Sequence, residues 1–252
     1  MRTLKVLGFL LTYPSLQTIE VLGECKEILR QEKWLDDEAI CALEKLMDKM
    51  EKTDILDLQE EYVDLFDRTP SLSLHLFEHV HGDSKDRGQA MVDLSNVYKD
   101  AGLIINTKEL PDYLPLFLEY LSIIDVDSAR ENLGEVVNIT ATIATRLKNR
   151  GSDYAAVLDA LAMAASRKPD ESAIDEALKQ SSGAAFTFKE IDEEWEEHNA
   201  FANTQQTTGQ SAGQDIDGGC PIAQEMLDRM NIPSDAPKKG IKNNKTNTIK
   251  EA

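Results

Sequence analysis

Apolar residues in this chain recur three and four positions apart, and no stretch alternates convincingly with period two, so the sequence restricts itself to helices. Val6, Leu7, Leu10 and Leu11 keep that spacing up to Tyr13–Pro14, which ends a first helix. Ser15 caps a second with Ile19, Leu22, Ile28 and Leu29 as its apolar positions. A third runs from about Asp36 to Lys52, and a fourth carries Ile55, Leu58, Tyr62, Val63 and Phe66 to an end near Asp67. A fifth starts from about Ser73, and Gln89 to Ala101 continues it or forms a sixth, closed by Gly102. Leu110 to Ser122 is strongly apolar; an N-cap at Asp112 would place Pro115 at the third helical position, where its missing N–H costs nothing. Ser128 to Glu131 reads as a capping box opening a long helix that Gly151 stops. Ser152 or Asp153 caps the next, with Pro169 beyond it. The expectation is an all-α, bundle-like single domain of roughly eight or nine helices, without an internal repeat.

After about Gln180 the character changes. Glu190 to Glu197 holds six carboxylates in eight residues, and the polar run NTQQTTGQSAGQ that follows cannot bury a core. One apolar island remains, Cys220, Ile222, Met226, Leu227, Met230 and Ile232, and then residues 238–250 with five lysines and no acid. The division this predicts is a helical domain over 1–198 and a mostly disordered tail over 199–252.

Charge narrows the partners. Acidic residues number 46 against 27 basic ones, a formal net charge of −19. Nucleic acid and an anionic membrane surface both require a basic footprint, so neither fits. A basic peptide or protein patch is the electrostatically favoured partner. Cys25, Cys41 and Cys220 are odd in number and widely spaced, as in a reducing compartment. The opening MRTLKVLGFLLTYP has an apolar run only from Val6 to Leu11, with no small-residue cleavage site after it, and no run approaches the ~20 apolar residues of a membrane span. These features read as a cytoplasmic protein.

The stretch Tyr62–Leu94 concentrates the chemistry. Of four histidines in the chain, His75, His79 and His81 fall within seven residues, beside Asp67, Glu78, Asp83, Asp86 and Arg87. On a helix from about Ser73, Leu72, Leu76, Phe77 and Val80 form the apolar side, while His75, Glu78 and His79 form a polar face; Leu74 fits neither. His75-x-x-Glu78-His79 also matches the inverted zinc-peptidase motif, two histidines a helical turn apart with a glutamate as general base. The motif is short, and no third ligand or cleft is implied, so the expectation is no catalytic residue, no metal and no cofactor. There is no G-x-S-x-G, no glycine-rich phosphate loop and no dinucleotide fingerprint. The alternatives are a peptide-binding protein, a zinc peptidase, and a generic helical scaffold.

This stretch resembles the NarJ family of nitrate reductase assembly chaperones, within the wider TorD/DmsD/NarJ group. The resemblance rests on Tyr62-Val-Asp-Leu-Phe-Asp-Arg68, Ser73-Leu-His-Leu-Phe-Glu-His79, His81-Gly-Asp83 and Asp86-Arg-Gly-Gln-Ala-Met91. Leu110-Pro-Asp-Tyr-Leu-Pro-Leu-Phe-Leu-Glu-Tyr120 and Leu10-Leu-Thr-Tyr-Pro14 agree as well. Where other members of the wider group carry Glu-Pro-x-Asp-His, this chain reads Glu78-His-Val-His-Gly-Asp83. The resemblance implies an all-helical cytoplasmic chaperone that binds the apo catalytic (alpha) subunit of respiratory nitrate reductase, including its N-terminal segment. Such a protein holds that subunit back from its membrane anchor while the molybdenum cofactor and an iron–sulfur cluster are installed, in concert with proteins that deliver the molybdenum cofactor. It implies a client-peptide site at Tyr62, Phe66, Asp67, His75, Glu78, His79, His81, Asp83, Asp86 and Arg87, with aromatic residues as floor and acids as steering charges.

Truncation after His198 is expected to leave the thermal midpoint nearly unchanged, because the removed segment lacks sustained apolar periodicity. A large drop in a calorimetric scan would mean that the island at 220–232 docks on the domain.

Overall fold

A computed structural model describes residues 1–81, 86–106 and 108–182. The described residues form eleven α-helices, a π-helical turn at Val63–Asp67 and a 3-10 turn at Pro70–Leu72. The only strand pairing among them is an isolated antiparallel bridge between His75 and Tyr113. The helical class is as expected, and the larger helix count comes from breaks that residue spacing did not announce. The tail division, including the boundary at residue 198, lies outside the described residues.

The core is assembled around three helices. α8 (Leu114–Ile123) buries residues on all sides, from Leu114 through Tyr120 and Leu121, as a helix apolar all round must. α1 (Arg2–Leu10) packs along it through Leu4, Leu7 and Leu10, all fully buried. Gly8 permits this crossing: a Cβ there would stand 3.2 Å from both the Leu118 Cβ and the Pro115 carbonyl oxygen. α9 (Val126–Asn149) is the longest helix, and α10 (Ala155–Ala164) folds back against it after Gly151, whose φ of +70° suits glycine. α4 (Asp37–Lys52) meets α10 and α3 (Leu22–Glu32), and α11 (Glu171–Ser182) lies on α9.

Caps explain most boundaries. Ser15 accepts from the Thr18 N–H at 3.1 Å and Thr18 answers with a bond back to Ser15, a reciprocal cap on α2 (Leu16–Glu20). The expected helix through Leu29 nevertheless breaks at Val21, and nothing in the residue types there marks the break. Asp36 caps α4 through the Ala39 N–H at 2.8 Å. Asp125, not Ser128, caps α9: its carboxylate takes the Ser128 N–H at 2.9 Å, and the helix gains nearly a turn over the expected start. Ser152 accepts from the Tyr154 N–H ahead of α10, while Asp153 instead pairs with Lys45 at 2.8 Å.

Two expectations in the central stretch fail. The predicted helix from Ser73 is absent: Ser73–Phe77 leaves the 3-10 turn as non-helical chain, and α6 is only Glu78–His81. Leu72, Leu74 and Leu76 are all buried, which alternate residues achieve on an extended backbone and not on a helix. This also places Leu74, which suited neither helical face. The N-cap of α8 is Tyr113 and not Asp112, so Pro115 is the second helical residue. The carboxylate of Asp112 is used elsewhere.

Glycines at the two extremes give a paired test. Gly8→Val is expected to destabilise by about 1–3 kcal/mol through overpacking. Gly23→Ala, with nothing within 4 Å of its added Cβ, is expected to stabilise by roughly 0.5–1 kcal/mol. Urea midpoints moving in the same direction for both would contradict the α1–α8 contact.

Candidate functional site

The site is a loop held shut on the start of α8. Asp112 is fully buried, and both its carboxylate oxygens are engaged. Oδ1 stands 3.1 Å from His75 Nδ1, and Oδ2 accepts the Phe77 N–H at 3.1 Å. Around it the backbone closes a miniature antiparallel ladder: the Leu76 N–H donates to the Asp112 carbonyl at 3.0 Å, and the Leu114 N–H to the Leu74 carbonyl at 2.8 Å. Arg87 on α7 (Asp86–Asp100) lies 3.9 Å from Asp112 Oδ2 and donates to Glu78 at 3.0 Å. The loop, the α8 start and α7 thus share one charged knot.

The histidines face inward, against the expectation of an exposed polar face. His75 is held by Asp112. That hydrogen bond raises its pKa against the opposing effect of burial, so Nδ1–H donates to the carboxylate as part of an imidazolium. The His79 Nε2 lies 2.8 Å from the Ser73 carbonyl, which fixes the proton on that nitrogen. Burial lowers the His79 pKa, with the nearby Arg146 acting in the same direction, so this ring stays neutral. Burial pushes Glu78 up, but hydrogen bonds from Ser73 and Arg87 outweigh it and hold the carboxyl below its ordinary value. The two histidines therefore carry different charges near neutral pH.

The aromatic floor is also a correction. Tyr62 and Phe66 are 4% and 5% exposed and belong to the core. Tyr62 packs on Phe66 at 4.9 Å, Phe66 on Tyr154 at 5.3 Å, and the Tyr62 hydroxyl donates to the Leu11 carbonyl at 2.9 Å. The π-helical turn is what carries both Leu65 and Phe66 inward from α5 (Ile55–Tyr62). The half-buried aromatic next to them is Tyr113, whose hydroxyl stands 3.0 Å from that of Tyr62 and whose ring lies 5.4 Å from His75.

Of the other expected site residues, Asp67 is exposed at the end of the π-helical turn, His81 closes α6, Asp86 opens α7, and Asp83 lies outside the described residues. Asp112 and Tyr113, which hold the loop, were not singled out from sequence. Their one signal was position, an aspartate and an aromatic immediately ahead of an apolar helix.

Two cavities flank the knot. One, about 350 Å³, lies between the 3-10 turn, α6, α9 and α11, where Glu78, His79, Asn138 and Arg146 line it. Arg146 spans it, donating to the Ser71 carbonyl at 2.7 Å and the Ala177 carbonyl at 3.0 Å. The other, about 270 Å³ and mostly apolar, lies between α1 and the start of α8. The zinc-peptidase geometry is not built: His75 precedes α6, so His75 and His79 do not stand one turn apart on a helix. No group of three or more metal-ligating side chains occurs among the described residues.

Comparison with known proteins gives a consistent picture. Residues 34–180 match the family described as nitrate reductase delta subunit. The chain is 40% identical over 202 residues to the probable nitrate reductase molybdenum cofactor assembly chaperone NarW of Escherichia coli K12, covering 78% of this chain and 82% of that protein. It is 38% identical over 209 residues to the nitrate reductase molybdenum cofactor assembly chaperone NarJ of the same strain, covering 83% and 88%. A probable NarJ of Bacillus subtilis strain 168 is 33% identical over 104 residues, 41% of this chain and 56% of that protein.

Asp112→Ala is expected to cost about 3 kcal/mol or more, since it strips a buried imidazolium of its counter-ion and orphans the Phe77 N–H. Histidine NMR titration should show His75 above and His79 below the ordinary range. The signs oppose each other. The His75 contribution to stability is full below the unfolded value of about 6.5 and fades as pH rises through its raised folded pKa. The His79 contribution is present above about 6.5 and fades as pH falls through its lowered one. In Asp112→Asn the elevation at His75 should largely vanish; an unchanged His75 titration would contradict the pairing.

Proposed function

Because the chain belongs to the nitrate reductase delta subunit family, we propose that it is an enzyme-specific chaperone of nitrate reductase maturation, a binding protein and not a catalyst. It binds the apo catalytic subunit of respiratory nitrate reductase and keeps it competent for insertion of the molybdenum cofactor and an iron–sulfur cluster before membrane attachment. The observation that carries this reading is its 40% identity to an assembly chaperone, aligned over about four-fifths of both chains.

Physical features support it. Among the described residues no helix is long and apolar enough to cross a membrane. A net charge of −19 favours a basic client. On this proposal the protein works in the cytoplasm and takes the N-terminal segment of the catalytic subunit, basic with an apolar face, on the surface organised by the Tyr62–Arg87 loop. Glu78, Asp83 and Asp86 steer the segment, together with Asp67. Tyr62, Phe66 and His75 act from beneath, as the support that sets the loop. His79 stands at the cavity wall, and His81 and Arg87 complete the loop's far end. Proteins that deliver the molybdenum cofactor engage the complex of chaperone and client, and residues 199–252 are not required for the fold.

The test is co-purification. The tagged chain is expected to retain the catalytic subunit from cells unable to make the molybdenum cofactor, and to lose it from cells holding mature enzyme. Equal recovery from both, or none from either, would overturn the proposal.

A further inference from the structure

The second cavity has a chemistry of its own. Phe9 and Thr12 from α1 face Tyr113, Pro115 and Leu116 from the start of α8, with Gly8 at the base adding no side chain to fill it. Its rim carries Glu109, Glu119 and Lys5, two carboxylates to one ammonium. Lys5 reaches Glu119 at 3.7 Å, and both side chains are largely solvated. The volume of about 270 Å³ is of the order that one or two large apolar side chains would fill.

We propose that the groove between α1 and α8 is the docking site for the apolar side chains of a short cationic segment. Resting on the function proposed above, that segment is the N-terminal segment of the nitrate reductase catalytic subunit. Charge complementarity selects this occupant. The rim is net negative on a chain of −19, so an acidic segment is repelled, while a lysine or arginine beside an apolar anchor gains Glu109 and Glu119. The cavity on the other side of the knot suits an apolar anchor poorly. It has no phenylalanine, tyrosine or leucine in its lining, and Arg146 ties its walls together through two carbonyls. The α1–α8 groove also connects to the loop. Tyr113 lines it while bonding Tyr62, stacking near His75 and pairing its backbone with the loop. A side chain seated on Tyr113 therefore touches the element that positions Glu78 and its neighbours.

The experiment is calorimetric titration of the full chain with a synthetic peptide of the catalytic subunit's N-terminal segment, at low and high salt. A second peptide has its basic residues replaced by glutamine. Thr12→Trp, which fills the groove from its half-buried edge, is expected to weaken binding by more than about tenfold with an unchanged circular dichroism spectrum. Glu109→Gln with Glu119→Gln is expected to weaken it up to about fivefold per charge at low salt and to flatten the salt dependence, as is the glutamine peptide on wild type. Should either groove variant fail to fold, the glutamine peptide still reads the charge term on the wild-type chain. Wild-type affinity in both groove variants, with a loss in Glu78→Gln/His79→Gln, would place the segment on the opposite face: the groove assignment falls and the chaperone reading stands. No binding to wild type at any salt would remove the peptide client from the reading and this proposal with it. Binding gained only in Met226→Asp/Leu227→Asp would hand the groove to the chain's own island at 220–232. A change of sedimentation coefficient in Thr12→Trp would hand it to a second copy. Either result overturns the proposal.

Discussion

A single buried carboxylate organises the functional end of this molecule. Asp112 has no exposure to solvent, so its charge must be matched locally, and the chain supplies the His75 imidazolium, the Phe77 N–H and the nearby Arg87. Satisfying it forces Ser73–Phe77 out of helical geometry, because the Leu76 and Leu114 N–H groups bond across the gap and not along a helix. Each partner depends on the others: remove the carboxylate, and a cation and a backbone donor are left unmatched in a dry environment. The loop is held by charge inside the protein, where screening by salt is weak, while client-facing charges lie outside, where screening is strong.

That arrangement separates the two tasks a receptor for a peptide must perform. The core aromatics Tyr62, Phe66 and Tyr154 stack into one another and fix the floor on which the loop rests. Recognition is left to the half-exposed groups on either side: Glu78 and His79 at the polar cavity, Tyr113 with Phe9 and Leu116 at the apolar one. A binding protein needs no reactive group, and the perturbed ionisations here are accounted for by structural partners. His75 is raised by Asp112, Glu78 is lowered against burial by Ser73 and Arg87, and His79 is lowered by burial. The pKa shifts thus mark the joints of the loop and not a catalytic centre.

The central stretch shows how far residue spacing reaches. Tyr62, Leu65 and Phe66 were legible as an apolar face, and the helix did end near Asp67. Leu72, Leu76, Phe77 and Val80 also satisfy a helical period, and that reading was wrong for Ser73–Phe77. Leu74 held the contrary signal, since Leu72, Leu74 and Leu76 alternate as buried residues on an extended backbone must. Three residues of alternation are too few to outweigh a helical pattern unless the partner strand is known, and the partner is 37 residues away at Asp112. Asp112 misled for a related reason. An aspartate ahead of an apolar helix is a good N-cap by local rules, and here a tertiary demand for a counter-ion won over the cap.

The sequence by itself determined the helical class, several caps, the glycine stops at Gly102 and Gly151, and the family, because each depends on neighbours within a turn or two or on the order of residues alone. Only the tertiary structure decided which way His75 and His79 point, that Tyr62 and Phe66 are core, and that a groove opens between α1 and α8. Those outcomes rest on contacts between residues from 6 to more than 100 positions apart, such as Ser73 with His79 and Leu11 with Tyr113. A local period can say that a side chain is apolar or charged. Whether it meets solvent, a counter-ion or another ring is set by the element that arrives opposite it.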